Sequence, residues 1–164
     1  MTKPDTGRKF LGNFSVTLDA KNRVAMPVSL RETLQRSYAE ESDRVIVTLA
    51  SGEKSVAVYP VSVFNAYMDT LGSASELNAD SQALLMLLST KARECPIDKQ
   101  GRIRLPEDLI EYAELGKEAV FCGHVTRMQI WNPQRHEAFV RNAMATMAER
   151  MKSAEKAVNR DKAE

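Results

Sequence analysis

At 164 residues, 43% of them hydrophobic and 27% charged, the chain has enough apolar material for a packed core and is not composed like a disordered one; it fits one domain or two small ones. A formal net charge of +1 excludes a bulk positive field that would draw in nucleic acid or anionic membrane, so any anion binding must come from local patches. No apolar run approaches the ~20 residues that cross a bilayer, and the polar start Met1–Lys9 carries no signal-peptide core, which makes the cytoplasm the expected location.

Residues 1–9 hold Pro4 and Gly7 and carry Lys3, Arg8 and Lys9 against Asp5, the composition of a mildly basic arm. From Phe14 the chain alternates: Phe14, Val16 and Leu18 on one side, Ser15, Thr17 and Asp19 on the other, as a half-buried strand requires. Val24 and Met26 resume the alternation after a short polar connection, so the pattern predicts a hairpin. Pro27 closes the second strand, and Ser29 with Glu32 has capping-box spacing ahead of Leu30, Leu34 and Tyr38, which predicts a helix. The runs Val45–Leu49 and Val56–Tyr59 flank Ser51 and Gly52 and predict another hairpin, with a helix beginning near Pro60. Ser73–Ala79 reads as a linker, and Asp80–Ser89 as a helix whose apolar run Ala83–Leu88 should be buried.

The chain then says much of this again. Asp19-Ala20-Lys21-Asn22-Arg23-Val24-Ala25-Met26-Pro27 returns as Asp98-Lys99-Gln100-Gly101-Arg102-Ile103-Arg104-Leu105-Pro106. Laid without a gap, Asp19 falls on Asp98, Arg23 on Arg102, Pro27 on Pro106, Leu30 on Leu109 and Glu32 on Glu111. Agreement across polar, apolar and proline positions at one spacing means duplicated architecture. Asp108 and Glu111 repeat the capping spacing, and Gly116 is placed to stop that helix. Ala119–Cys122 and Met128–Trp131 form the second copy's later hairpin, shorter than the first. Tyr59 then matches Trp131, and Ala66 and Tyr67 match Ala138 and Phe139 after Pro133. From Arg135 onward, Phe139, Met144, Met147 and Met151 among many alanines predict one helix, longer than its counterpart, that frays into 156–164. The organisation expected is an arm (1–9), a first unit (10–72), a linker and helix (73–91), a second unit (92–140) and a C-terminal helix and tail (141–164).

The turn explains several of its own residues. Asn22 and Gly101 are the residue types that accept positive φ, which a tight connection with a left-handed position demands. Asp19 and Asp98 sit where a carboxylate accepts backbone N–H bonds, and Pro27 and Pro106 end the strands that follow. Arg23 and Arg102 come straight after the bend and read as its exposed cations. The second loop, with Lys99, Arg102 and Arg104 against Asp98, is the more basic; the first has Lys21 and Arg23 against Asp19. Arginine's fork suits guanine edges and phosphates, and a two-stranded hairpin fits a major groove.

No nucleophile with its base, phosphate cradle or zinc spacing is visible, so no enzyme, no metal and no cofactor is expected, and no small-molecule substrate. Cys122 and His124 share a strand face but lack the further ligands a zinc site needs. Both Cys122 and Cys95 read as small buried hydrophobes, and His136 as a surface residue near a helix start. One such loop on one chain would bind duplex DNA no tighter than about 10⁻⁴ M, so useful affinity requires several loops in a rigid array. A nearly neutral DNA-binding chain therefore argues for a homo-oligomer.

Phe10-Leu11-Gly12, the Asp19-x-Lys21-Asn22-Arg23 turn with Pro27 and Arg31-Glu32, the Tyr59-Pro60 junction and the second Asp98-x-x-Gly101-Arg102 copy together resemble the MraZ family, bacterial transcriptional regulators built of two tandem AbrB-like units. The resemblance covers residues 10–140. It implies an α+β fold: two swapped-hairpin-type β units forming a small barrel core with flanking helices. It also implies assembly into rings, binding to short direct repeats of double-stranded promoter DNA upstream of the division and cell-wall gene cluster, a repressor's role and association with the nucleoid. Arg23 matches the family's DNA-contacting arginine, with Lys21 and Asn22 beside it, and Arg102 matches the second motif arginine. Asn22 stands where the family usually has glycine. Two other readings use the same unit: an AbrB-type antitoxin or transition-state regulator, which normally carries one copy per chain, and a ring-forming interaction scaffold that binds no DNA.

Overall fold

The computed structural model describes residues 9–75 and 78–163, so the expected arm over residues 1–8 lies outside the described residues. In chain order the elements are β1 (Asn13–Thr17), β2 (Arg23–Ala25), α1 (Val28–Ser37), a 3₁₀ turn (Ala39–Glu41), β3 (Arg44–Leu49), β4 (Val56–Tyr59), α2 (Val61–Ser75) and α3 (Ala79–Lys91). The second copy gives β5 (Arg93–Pro96), β6 (Arg102–Arg104), α4 (Glu107–Tyr112), β7 (Glu118–His124), β8 (Arg127–Trp131), α5 (Pro133–Ala145) and α6 (Met147–Ala163). The chain falls into two compact units, Met1–Asn132 and Pro133–Glu164. The first holds every strand, and its fold is the mixed α+β one expected.

The sheet shows how the two copies interlock. Six antiparallel strands run in the order β1-β7-β8-β4-β3-β5, and β2 pairs with β6 in a ladder of its own. The order is a palindrome of equivalents: β1 corresponds to β5, β7 to β3 and β8 to β4. Each copy therefore donates its first strand to the other copy's hairpin. Phe14 lies opposite Phe121 and Val16 opposite Ala119, while Cys95 of the second copy lies opposite Val45 of the first. An approximate two-fold axis passes between β4 and β8, where Ala57 faces Gln129, and between β2 and β6, where Val24 faces Ile103. The six-stranded ladder does not close on itself. Its edge strands β1 and β5 instead continue through the two Asp-x-x-x-Arg turns into β2 and β6, which completes the circuit through the chain.

This exchange corrects the first predicted hairpin. After β1 a single bridge, Leu18 to Val24, joins its end to β2, and the two strands then pair with different partners. The reason is burial: Val24 and Ile103 are both wholly buried, and only crossing lets each cover the other's apolar face. The later hairpins form as expected, β3 with β4 and β7 with β8. Phe10 bridges to Val125, and Gly123 N–H donates to Gly12 O at 2.9 Å, so the entering chain lies directly on β7.

Helix boundaries differ from the pattern in four places. Neither capping box forms: α1 and α4 begin at once after Pro27 and Pro106, whose φ of −54° and −61° suit a helix entry, leaving Ser29 and Asp108 inside the first turn. Helix α4 stops through Glu114 at φ 54°, with Leu115 N–H reaching back to Ile110 O at 3.0 Å, rather than at Gly116. The expected linker is shorter, because α2 runs on through Ser75 and Asn78 caps α3 by accepting from the N–H groups of Asp80 and Ser81. The C-terminal segment is two helices meeting at Thr146, not one that frays from 156. Of the apolar run in α3 only Leu88 is fully buried, and Met86 is 63% exposed, since six consecutive residues wrap more than one helix face.

Candidate nucleic-acid interface

Each turn is a small self-contained device. Asn22 at φ 61° and Gly101 at φ 78° occupy the left-handed position, as their residue types anticipate. Asp19 N–H donates to Arg23 O at 2.9 Å and Asn22 N–H to Asp19 O at 3.0 Å, and the second turn repeats both bonds between Asp98, Arg102 and Gly101. The Asp19 carboxylate accepts from the N–H groups of Lys21 and Arg23, each at 2.9 Å, with one oxygen. Its other oxygen takes Arg23 Nε at 2.7 Å. Asp98 does the same with Gln100 N, Arg102 N and, at 2.8 Å, Arg102 Nε. The backbone N–H of the arginine, above all, holds each aspartate below the ordinary carboxylate value, against the opposing effect of desolvation.

Arg23 and Arg102 are therefore not the freely projecting cations that sequence position suggests. Their side chains are 31% and 29% exposed and are tethered through Nε. The tether leaves the terminal Nη atoms, the end of the fork that reads a guanine edge or a phosphate, with no partner among the described residues. A flexible cation has become an aimed one.

The ladder between β2 and β6 sets what stands beside each tip. The strands are antiparallel, so the two turns lie at opposite ends: Leu105 N–H donates to Asn22 O at 2.9 Å, and Met26 N–H to Gly101 O at 2.8 Å. Val24 and Ile103 point into the core, and the arginines flanking them point out. Arg104, counted with the second loop by sequence, is the cross-strand partner of Arg23 and belongs to the first tip. In exchange Arg31 of α1 lies against the open face of Gly101, where an added Cβ would sit 2.9 Å from its Nη1. The first tip thus has Lys21, Arg23 and Arg104 near Asp19, and the second has Lys99, Arg102 and Arg31 near Asp98. Lys21 and Arg104 are exposed, with no carboxylate paired to either among the described residues.

Directly opposed like charges on a ladder sit about 5 Å apart and repel. The pair Arg23 and Arg104, with one carboxylate between them, suits an anion from outside. A shallow depression of about 410 Å³ opens beside this tip, and its lining is mixed in charge, with Arg93 and Arg104 beside Glu94 and Glu107 around Asn22 and Leu105. Sequence reasoning had no reason to put Arg93, Arg104 and Asn22 together, because only the crossing of the copies does so. The other candidates lead nowhere chemical: His124 Nδ1 lies 3.5 Å from Gln129 Nε2, and burial pushes the Cys95 and Cys122 thiols up to about 11. Among the described residues no group of three or more His, Cys, Asp or Glu could hold a metal ion, and no helix is long and apolar enough to cross a membrane.

Comparison with known proteins meets this geometry at both copies. The family model described as MraZ protein matches twice in tandem, over residues 10–87 and 88–161. The chain belongs to the MraZ family. Among similar MraZ proteins, one from Desulforamulus reducens is 36% identical over 137 residues, which is 84% of this chain and 91% of the relative. One from Carboxydothermus hydrogenoformans is 35% identical over 140 residues, covering 85% and 92%. Another from Clostridium acetobutylicum is 31% identical over 144 residues, covering 87% and 96%. All three carry the name transcriptional regulator MraZ. The boundary between the two MraZ matches falls inside α3, so that helix joins the copies rather than belonging to one.

Proposed function

We propose that this chain, like the MraZ relatives it resembles, is a transcriptional regulator and not an enzyme, and that it works by binding double-stranded DNA through its turn tips. The reading rests on one observation: each tip holds an arginine by its Nε against an aspartate and leaves the Nη end of the guanidinium without a partner among the described residues, beside further cations. Such pre-orientation cuts the entropy lost when a long side chain meets a base or a phosphate. Lys21, Asn22, Arg23 and Arg104 form the first tip, and Arg102 heads the second. In this reading Lys21 and Arg104 supply charge to the phosphates while Arg23 reads a base edge.

The two tips of one chain face away from each other along the ladder, so a single chain presents one tip to a given stretch of duplex. A ring of copies restores the multiplicity, setting equivalent tips on direct repeats in promoter DNA. Occupying the promoter upstream of the division and cell-wall genes would make the protein a repressor, held on the nucleoid. A footprint of the purified oligomer on its own upstream region tests the reading. Protection of short repeats at a constant spacing is the expected result; uniform weak protection that vanishes with moderate salt would overturn it.

A further inference from the structure

Thr146 separates α5 from α6, yet backbone bonds run through it: Thr146 N–H donates to Asn142 O at 3.1 Å and Arg150 N–H to Thr146 O at 3.0 Å. The N–H groups of Met147, Ala148 and Glu149 make no backbone bond back across the break, so the helix is interrupted there, but Val140, Met144, Met147 and Met151 line one groove and so share a face. Along that face Val140, Met144, Met147, Met151, Ala154 and Val158 follow one another at spacings of four, three, four, three and four. That is the apolar seam of a left-handed coiled coil, whose repeat is 3.5 residues. The seam faces solvent: Met144 is 66% exposed, Met147 53%, Met151 57% and Val158 52%. Two adjoining grooves, meeting at Met151 and Ala154, run along it.

We propose that a second copy of this chain covers the seam with its own α5 and α6, parallel and in register. Charge selects the occupant and its direction. Arg150 and Glu155 flank the seam on opposite sides, five residues apart, the positions that face each other between helices of a parallel pair. A two-fold pair makes that contact twice. The antiparallel arrangement that aligns the same apolar layers would set Arg150 against its own copy. Ala143, Ala148 and Ala157 occupy other flanking positions and allow close approach. Glu137 and Asp161 stand at the next seam positions on either side, so the zipper is short and its pairing depends on concentration. This interface involves no tip residue and stands apart from the reading of DNA.

Cross-linking of the full-length protein tests it, since the native Cys95 and Cys122 are buried. Met144→Cys places a thiol on the seam, opposite its own copy only in the parallel register; Lys152→Cys places one on the outer face. Under mild oxidation Met144→Cys should form disulfide-linked dimers at least tenfold faster than Lys152→Cys, and equal rates would overturn the proposal. In the Met144→Cys background, Arg150→Glu should slow linkage about threefold at low salt through two lost flanking pairs. Adding Glu155→Arg should restore the rate; a double variant as slow as the single one would also overturn the parallel register. DNA affinity of a single assembled body is read separately, so loss of the zipper and loss of tip function are distinguishable.

Discussion

Replacing Arg23 by alanine separates aim from charge at the first tip. The Arg23 guanidinium is 2.7 Å from Asp19 through Nε, so the pair as a whole carries almost no net charge towards DNA. Its value lies in the outward fork, and a bidentate contact to a base edge is worth about 1–3 kcal/mol of discrimination. That is roughly 5- to 150-fold per engaged tip, compounding when two or more tips of one assembly sit on spaced repeats. The salt dependence should move little, because few counterions are held by a neutralised pair. Arg104 is the contrast: it has no carboxylate partner among the described residues, so Arg104→Ala should flatten the slope of log K against log salt by about 0.9 per engaged tip while leaving sequence preference nearly intact. The assay is fluorescence anisotropy on repeat and scrambled duplexes at several salt concentrations, with light scattering to verify that assembly is unchanged. If Arg23→Ala binds the repeat duplex as tightly as the parent protein, or changes only the salt slope, the tethered-fork argument fails.

Gly123→Ala would drive a Cβ into the Phe10 backbone, which cannot move without opening the sheet, so Tm should fall by about 5 °C or more. Gly52→Ala, at φ 98° but with open space around it, should cost only the strain of the left-handed backbone, and a melt of both ranks them. The Asp19 and Asp98 carboxyls have folded values held below 3.8, so their support for the turns is complete above that pH and is lost as pH falls through the depressed value. Carboxyl-carbon NMR titration should give both midpoints below 3.8, and a midpoint at or above it would contradict the hydrogen bonding described. Cys95 and Cys122, pushed up to about 11, should react with a thiol reagent at pH 8 far more slowly in the folded protein than in denaturant.

The local chemistry of the turns was legible in the chain. An aspartate, a residue tolerant of positive φ, an arginine and a proline at one spacing leave few backbone solutions, and their return at Asp98–Pro106 marked the duplication before any fold was known. The repeat also anticipated the paired hairpins of β3 with β4 and β7 with β8, since sequential strands with short connections close locally. Helix starts were less readable, because a proline that enters a helix directly overrides a capping box two residues later.

What only the tertiary structure decided is who partners whom. Period-two alternation says which face of β1 and β2 is buried but nothing of the strand beside it, and the exchange of first strands between copies is a long-range choice made by burial of Val24 against Ile103. That choice carried Arg104 across to the first tip and set Arg31 of α1 against Gly101 at the second, so the charge of each tip is a property of the crossing. By itself the sequence determined the turns, the duplication and the apolar seam of the last helices, which depend on neighbours a few residues apart. The grouping of cations at the two tips depends on residues far apart in the chain, and only packing of the shared core brings them together.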